Sequence, residues 1–244
     1  MDAFSGDETG YAMKGPLSTM PEYVRRGFVQ KVYSLLCVQL AITVGIGAVF
    51  HQYTTPLWAA HHLSLFYLAS FGSLAIVLGV GCCCQAVART FPTNYLFLFA
   101  ITALQSIVLG FVCTMYTGES VLIAVATTSA VFLCLTLYAC FTKVDFTGCG
   151  PYLFAGVMCL MCFSLTMSIW SFFAPIPTGI RMVYALGGVL LFSFFIVYDT
   201  QLIVGGTHMA HCFDVDDYVF AALNIYMDII NLFLMLLELF GDRR

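Results

Sequence analysis

Seven long stretches of this chain carry almost no charge, and nothing else in it constrains the fold as strongly. They cover residues 29–50, 63–84, 94–116, 120–141, 151–173, 179–204 and 218–240. Crossing a bilayer takes about 20 mainly apolar residues in helical form. Hydrocarbon offers a backbone no hydrogen-bond partner, so runs of this length must satisfy their own amides as helices. Composition agrees: 61% of the residues are hydrophobic and 9% are charged, against roughly 25% charged in a soluble domain. The expected fold is an all-α membrane protein with seven transmembrane helices, the transmembrane domain being residues 29–244. The links are short and built of turn residues, as in Phe91-Pro92-Thr93-Asn94, Gly148-Cys149-Gly150-Pro151 and Pro175-Ile176-Pro177. Such links make successive helices antiparallel.

Residues 1–28 are polar and mixed in charge, with Gly6, Gly10, Gly15 and Pro16. They are expected to form a disordered cytosolic tail, with the first apolar run acting as a signal anchor. The nine Lys and Arg are scattered and the net charge is -4, so no basic stripe exists for a nucleic acid. Their placement sets the orientation. Lys14, Arg25, Arg26, Lys31, Arg89 and Lys143 fall on one side, which is expected to be the cytosol. Arg181 falls on the other. Arg243 and Arg244 break the pattern, because seven crossings put them opposite the tail. Two readings of the last run therefore stay open, a full crossing and a re-entrant segment.

Eleven Cys make no disulfide framework. Cys37, Cys113, Cys134, Cys159 and Cys162 lie inside apolar runs, where thiols serve as small hydrophobes. Cys82, Cys83 and Cys84 are read as a packed small-residue face, with palmitoylation as the alternative. His208, His211 and Cys212, beside Asp214, Asp216 and Asp217, are read as a solvated loop before a metal site.

Two aspartates stand out. A carboxylate near the middle of a membrane helix costs about 2.5–3.5 kcal/mol and is normally kept for function. Asp228 lies roughly 16 Å deep in the last run, counting 1.5 Å per residue. Asp199 lies nearer the cytosolic end of the sixth. Asn224, Asp228, Asn231 and Glu238 share one helix face, so the last run carries a polar stripe expected to face the bundle and line a pathway. Interhelical glue is the plainer reading of the two Asn. Asp199 is flanked at helical spacing by Phe195, Ile196, Leu202 and Ile203, so its partner must come from another helix. Asp228, Arg89 and a water-filled cavity are the candidates. Two carboxylates about 4 Å apart repel by ~4 kcal/mol at an effective dielectric of 20. Such a pair shares one proton and titrates as a unit. Losing that proton separates the helices and leaves a site for a hard cation such as Ca2+. Thr127, Thr128, Ser129 and Thr136 are read as packing residues, and Glu119 as a helix N-terminal carboxylate.

Four segments resemble the transmembrane BAX-inhibitor-motif family, in particular its Lifeguard branch. They are Ala139-Cys140-Phe141-Thr142-Lys143-Val144-Asp145-Phe146-Thr147, Val197-Tyr198-Asp199-Thr200-Gln201-Leu202-Ile203-Val204-Gly205-Gly206, the run from Asp217-Tyr218-Val219 through Asn224 and Asp228 to Asn231-Leu232-Phe233-Leu234, and Arg89-Thr90-Phe91-Pro92-Thr93-Asn94-Tyr95. The resemblance implies a bundle with the last helix at its centre, in the endoplasmic reticulum or Golgi membrane. It implies a pH-sensitive Ca2+ leak from the store and protection from apoptosis, with Asp199 and Asp228 as gating, pH-sensing and cation-binding residues and Arg89 as their basic partner. Ca2+ is then the transported ion, not a cofactor. Beyond the lipid bilayer, partners would be death-regulator or store-channel membrane proteins. The chain is not expected to be an enzyme. Two rival readings are an intramembrane aspartyl protease and a non-conducting interaction protein that regulates cell death. Two membrane aspartates suit peptide hydrolysis, and Tyr198-Asp199 fits such a protease's first motif. Its Gly-x-Gly-Asp motif is missing, because Ile225-Tyr226-Met227 precedes Asp228.

Overall fold

A computed structural model describes residues 15–83, 89–205 and 211–244. Among these, seven apolar helices form the bundle: α1 (Glu22–Tyr53), α2 (Leu63–Cys83), α3 (Thr93–Thr114), α4 (Gly118–Phe141), α5 (Gly150–Trp170), α6 (Thr178–Val204) and α7 (Tyr218–Phe240). Six are long and apolar enough to cross a membrane, and α2 is a shorter apolar helix. A short helix, Pro56–His61, bridges α1 and α2, opened by the Thr55 hydroxyl accepting from the Trp58 amide. The start of α4 is capped by Thr117, whose side chain accepts from the Ser120 amide, so Glu119 supplies only first-turn charge.

The last helix is the centre. In α7, 67% of the most apolar stretch is buried inside the protein, against 6% in α5 and 22% in α1 and α6. It packs against α6 most extensively, then α1, α4 and α3. The helix α2 leans on α3, and α5 on α6. The outward faces are lined by side chains such as Leu68, Phe71, Leu122, Leu165 and Phe194, all exposed, as lipid contact requires.

Polar groups hold α1, α3 and α7 together. Gln39 donates to Thr102 at 3.0 Å, Ser106 donates to Thr43 at 3.0 Å, and Thr43 meets the Tyr226 hydroxyl at 2.9 Å. The Thr102 and Ser106 hydroxyls also donate to carbonyls one turn back in α3. Interhelical bonds of this kind in lipid contribute about 0.6 kcal/mol each on average. Their constant offset in sequence shows that α1 and α3 run parallel, as a chain that crosses once between them demands. The pairs Thr43–Tyr226 and Lys31–Tyr218 show the same for α7. So α7 runs the full height of the bundle, ending where Arg244 donates its amide to Met115 and its guanidinium meets His51. Of the two readings left open for this segment, a full-length helix is the one adopted.

Two boundaries differ from expectation. The helix α1 starts at Glu22, not residue 29, because Glu22 and Arg26 pair across one turn at 2.6 Å in water. Residues 15–28 are not disordered either. Leu17 is fully buried, its amide donates to Phe213, and Val215 donates back to Gly15. Gly205 ends α6 at φ +54, and a Cβ there would lie 3.3 Å from Leu17, so the stop and the strap fit only around a glycine. Residues 1–14, Cys84 and His208 lie outside the described residues, as do the side chains of Cys82 and Cys83.

Gly110 sets how closely α1 and α3 approach. A Cβ at this position would lie 2.6 Å from Phe50 Cγ, a stiff ring stem that has no way to swing aside. Gly110→Ala is expected to destabilise the protein by about 1–3 kcal/mol. Gly45→Ala, with nothing within 4 Å of its Cβ, is the near-neutral control. Thermal unfolding in detergent compares the two.

Candidate functional site

Asp199 sits five residues before the end of α6, and Asp228 sits midway along α7. These helices share the most extensive interface in the bundle. Both aspartates are buried, at 4% and 6% exposure. Their carboxyl groups face each other at close range. Asp228 Oδ2 is buried with no donor from the protein. Two ionised carboxylates only accept hydrogen bonds. The contact therefore needs a proton held between them, or a cation in its place.

The surroundings are polar on one flank. Tyr33 of α1 faces Thr200 of α6 and Thr136 of α4. None of these three buried hydroxyls reaches good hydrogen-bond geometry with a protein partner. Sequence pattern did not single out Tyr33 or Thr200, since an isolated hydroxyl on an apolar helix is ordinary. Thr128 and Ser129 donate to the carbonyls of Ala124 and Val125, as packing residues do.

The other residues of the polar stripe are not gathered at the pair. Asn224 is exposed, and Asn231 is half-buried and donates to Met227 O of its own helix. Glu238 lies at the far end of α7. It accepts from the Tyr116 hydroxyl at 2.5 Å and from Arg243 at 2.7 Å, with Arg181 3.9 Å away. Those contacts give Arg243 a partner on the side where the Lys/Arg bias did not want it. Glu238, with Leu234 and Met235, lines a cavity of about 550 Å³, and Asn231 lies one turn deeper toward Asp228.

Arg89 is not brought to the aspartates. Its guanidinium grips Asp217 with two bonds of 2.7 and 3.0 Å, and that contact pushes its pKa above the ordinary value. Asp217 ends the turn just before α7, at the bundle rim, whereas Asp228 is three turns further in. Arg89 follows the rim residue because both sit at one water-facing level. Nearby, Asn94 donates to the Tyr218 hydroxyl at 2.7 Å, and Lys31 stands 3.3 Å over the Tyr218 ring.

Gln201, two residues past Asp199, is a structural residue that spacing did not reveal. It is fully buried. Its amide donates to Val144 O and its carbonyl accepts from the Phe146 amide, both at 2.8 Å. Asp145 turns the loop by accepting from Thr147, whose hydroxyl accepts from His211. The loop between α4 and α5 is thus fastened to the helix that carries Asp199. Cys212 accepts from the Ser18 amide at 3.3 Å. Among the described residues no group of three His, Cys, Asp or Glu is placed to hold a metal ion.

This is a polytopic membrane protein whose last two helices set carboxyl against carboxyl inside the bundle. Residues 25–244 match the family model Bax1-I, described as "Inhibitor of apoptosis-promoting Bax1", and the chain belongs to that family. It is 35% identical to Protein lifeguard 3 of Homo sapiens over 232 residues, 94% of this chain and 73% of that protein. It is 36% identical to the Mus musculus protein of the same name over 223 residues, 90% of this chain and 70% of the relative. It is 31% identical to Bax inhibitor 1 of Schizosaccharomyces pombe over 227 residues, 93% of this chain and 80% of the relative.

Gln201→Leu is expected to remove the partners of the Val144 carbonyl and the Phe146 amide, at about 0.5–1.5 kcal/mol for each hydrogen bond lost. Hydrogen exchange should rise in the segment 142–149 first, while α1 and α3 keep their protection.

Proposed function

We propose that this protein is a passive Ca2+ leak pathway in an intracellular store membrane, the endoplasmic reticulum or Golgi, gated by the Asp199–Asp228 pair. The observation that carries this reading is the close approach of two buried carboxyls with Asp228 Oδ2 unpartnered. With one proton held between them, α6 and α7 stay together. When that proton leaves, two anions face each other and repel by ~4 kcal/mol at about 4 Å and an effective dielectric of 20. The helices part, and the freed oxygens suit a hard divalent cation. The route follows α7 from the cavity at Glu238 past Asn231 to Asp228, and leaves by Asn224. Ca2+ moves down its gradient, so no energy source is needed.

The family model and the yeast relative carry descriptions that speak of Bax inhibition. We carry that role to this chain as restraint of apoptosis through a lower store of Ca2+. The tail side of the bundle faces the cytosol in this reading, because Arg25, Arg26, Lys31, Arg89 and Lys143 lie there.

Protein reconstituted in liposomes with a trapped Ca2+ dye is expected to conduct faster as pH rises from 5 to 8. Asp228→Asn keeps a neutral hydrogen-bonding group against Asp199, so its flux should be low and nearly independent of pH. Flux that is flat with pH in the unsubstituted protein would remove the gate. Variants that stop flux but still protect cells would move the protein to the non-conducting interaction reading.

A further inference from the structure

The end of the bundle opposite the tail holds the cavity from which the proposed route starts, and its charged side chains lie apart from the aspartate pair. Its cavity of about 550 Å³ lies between α3, α5, α6 and α7, with Arg243 beyond α7 also lining it. Three charged side chains line it, Arg181, Arg243 and Glu238, for a net charge of +1. Glu238 is already satisfied by Tyr116 and by both bonds from Arg243. Burial, and then the Glu238 carboxylate, push the Tyr116 phenol up to about 12, so it remains a donor to Glu238. Arg181 is left over. Among the described residues its one ion contact is 3.9 Å long, and its Nε is buried without a hydrogen-bond partner. It also stands in the first turn of α6, where the helix dipole favours an anion.

The cavity does not end in water alone. It shares Met167 and Ile176 with a groove of about 210 Å³ on the outer face of α5 and α6. That groove runs along Phe163, Thr166, Trp170 and Ile180, a nearly all-apolar wall. The helix α5 is the most lipid-exposed of the six long helices, so the groove opens to acyl chains. The cavity lies level with the α5–α6 turn, where Trp170, Phe172 and Phe173 are exposed at 56%, 86% and 84%. Exposed aromatic side chains clustered at helix ends mark headgroup depth. A cavity with two guanidinium groups and one carboxylate is suited by charge to an acidic headgroup.

We propose that cavity and groove together bind one anionic glycerophospholipid, with its phosphate against Arg181 and an acyl chain along the α5–α6 groove. A zwitterionic lipid brings a positive charge of its own next to Arg181 and Arg243 and is disfavoured. A free phosphate satisfies Arg181 but leaves the groove unused, and so gains only part of the contact. The site does not depend on the proposed leak, because binding is read without flux.

Native mass spectrometry of the full chain in neutral detergent tests this, with dioleoyl phosphatidylglycerol and dioleoyl phosphatidylcholine added in equal amounts. The expected result is one retained phosphatidylglycerol, at least tenfold preferred. Arg181→Gln should abolish the preference. Thr166→Trp, on an exposed position, should fill the groove and weaken binding of both lipids while the protein keeps its melting temperature. Inorganic phosphate at the same concentration should not displace the lipid. Equal retention of the two lipids, an unchanged preference in folded Arg181→Gln, or displacement by inorganic phosphate would each overturn the proposal.

Discussion

A hydrocarbon solvent gives no shelter to a polar group, and this bundle is arranged around that fact. The helix α7 carries Tyr226, Asp228, Asn231 and Glu238. Each must meet something other than lipid. Tyr226 is met by Thr43, Asp228 by Asp199, and Glu238 by Tyr116 and Arg243. Helices α1, α3, α4 and α6 therefore surround α7, and α2 and α5 are left to face lipid. The central position of α7 follows from the polarity of its own side chains more than from its hydropathy, which is close to that of its neighbours.

Much of this was legible in the sequence. Hydropathy located the helices to within a few residues, because lipid requires nearly continuous apolar runs, except at the polar first turns of α1, which starts at Glu22. The cost of leaving Asp199 alone called for a partner from another helix, with Asp228, Arg89 and a water-filled cavity as the candidates. What sequence lacked was height and azimuth. Arg89 belongs to the rim with Asp217, although charge alone suited it equally to Asp228. A helical stripe fixes which residues share a face, but not which neighbour that face meets, so Asn224 came out exposed. Leu17 was invisible for a simpler reason: one leucine in a polar tail has no periodicity to betray it, and only its burial under the α6–α7 link shows its role.

The four segments that suggested the family prove to be neighbours. The loop after α4 is fastened by Gln201 of α6, the start of α3 bonds to the start of α7 through Asn94 and Tyr218, and Arg89 holds Asp217. All of these lie at one end of the bundle. The opposite end is tied by Arg243, Arg244 and Glu238 instead. The aspartate pair thus sits beneath a rim of tight polar fastenings, while the cavity beneath Glu238 opens the other way.

The central place of α7 also bears on how the protein is made. Translation delivers α7 after the other six helices, yet it fills the middle. Until it arrives, Asp199 has no carboxyl to share with, and Thr43 lacks one of its hydroxyl partners. The earlier helices already share the α1–α3, α2–α3, α4–α6 and α5–α6 contacts, and α7 adds those that join them through the centre.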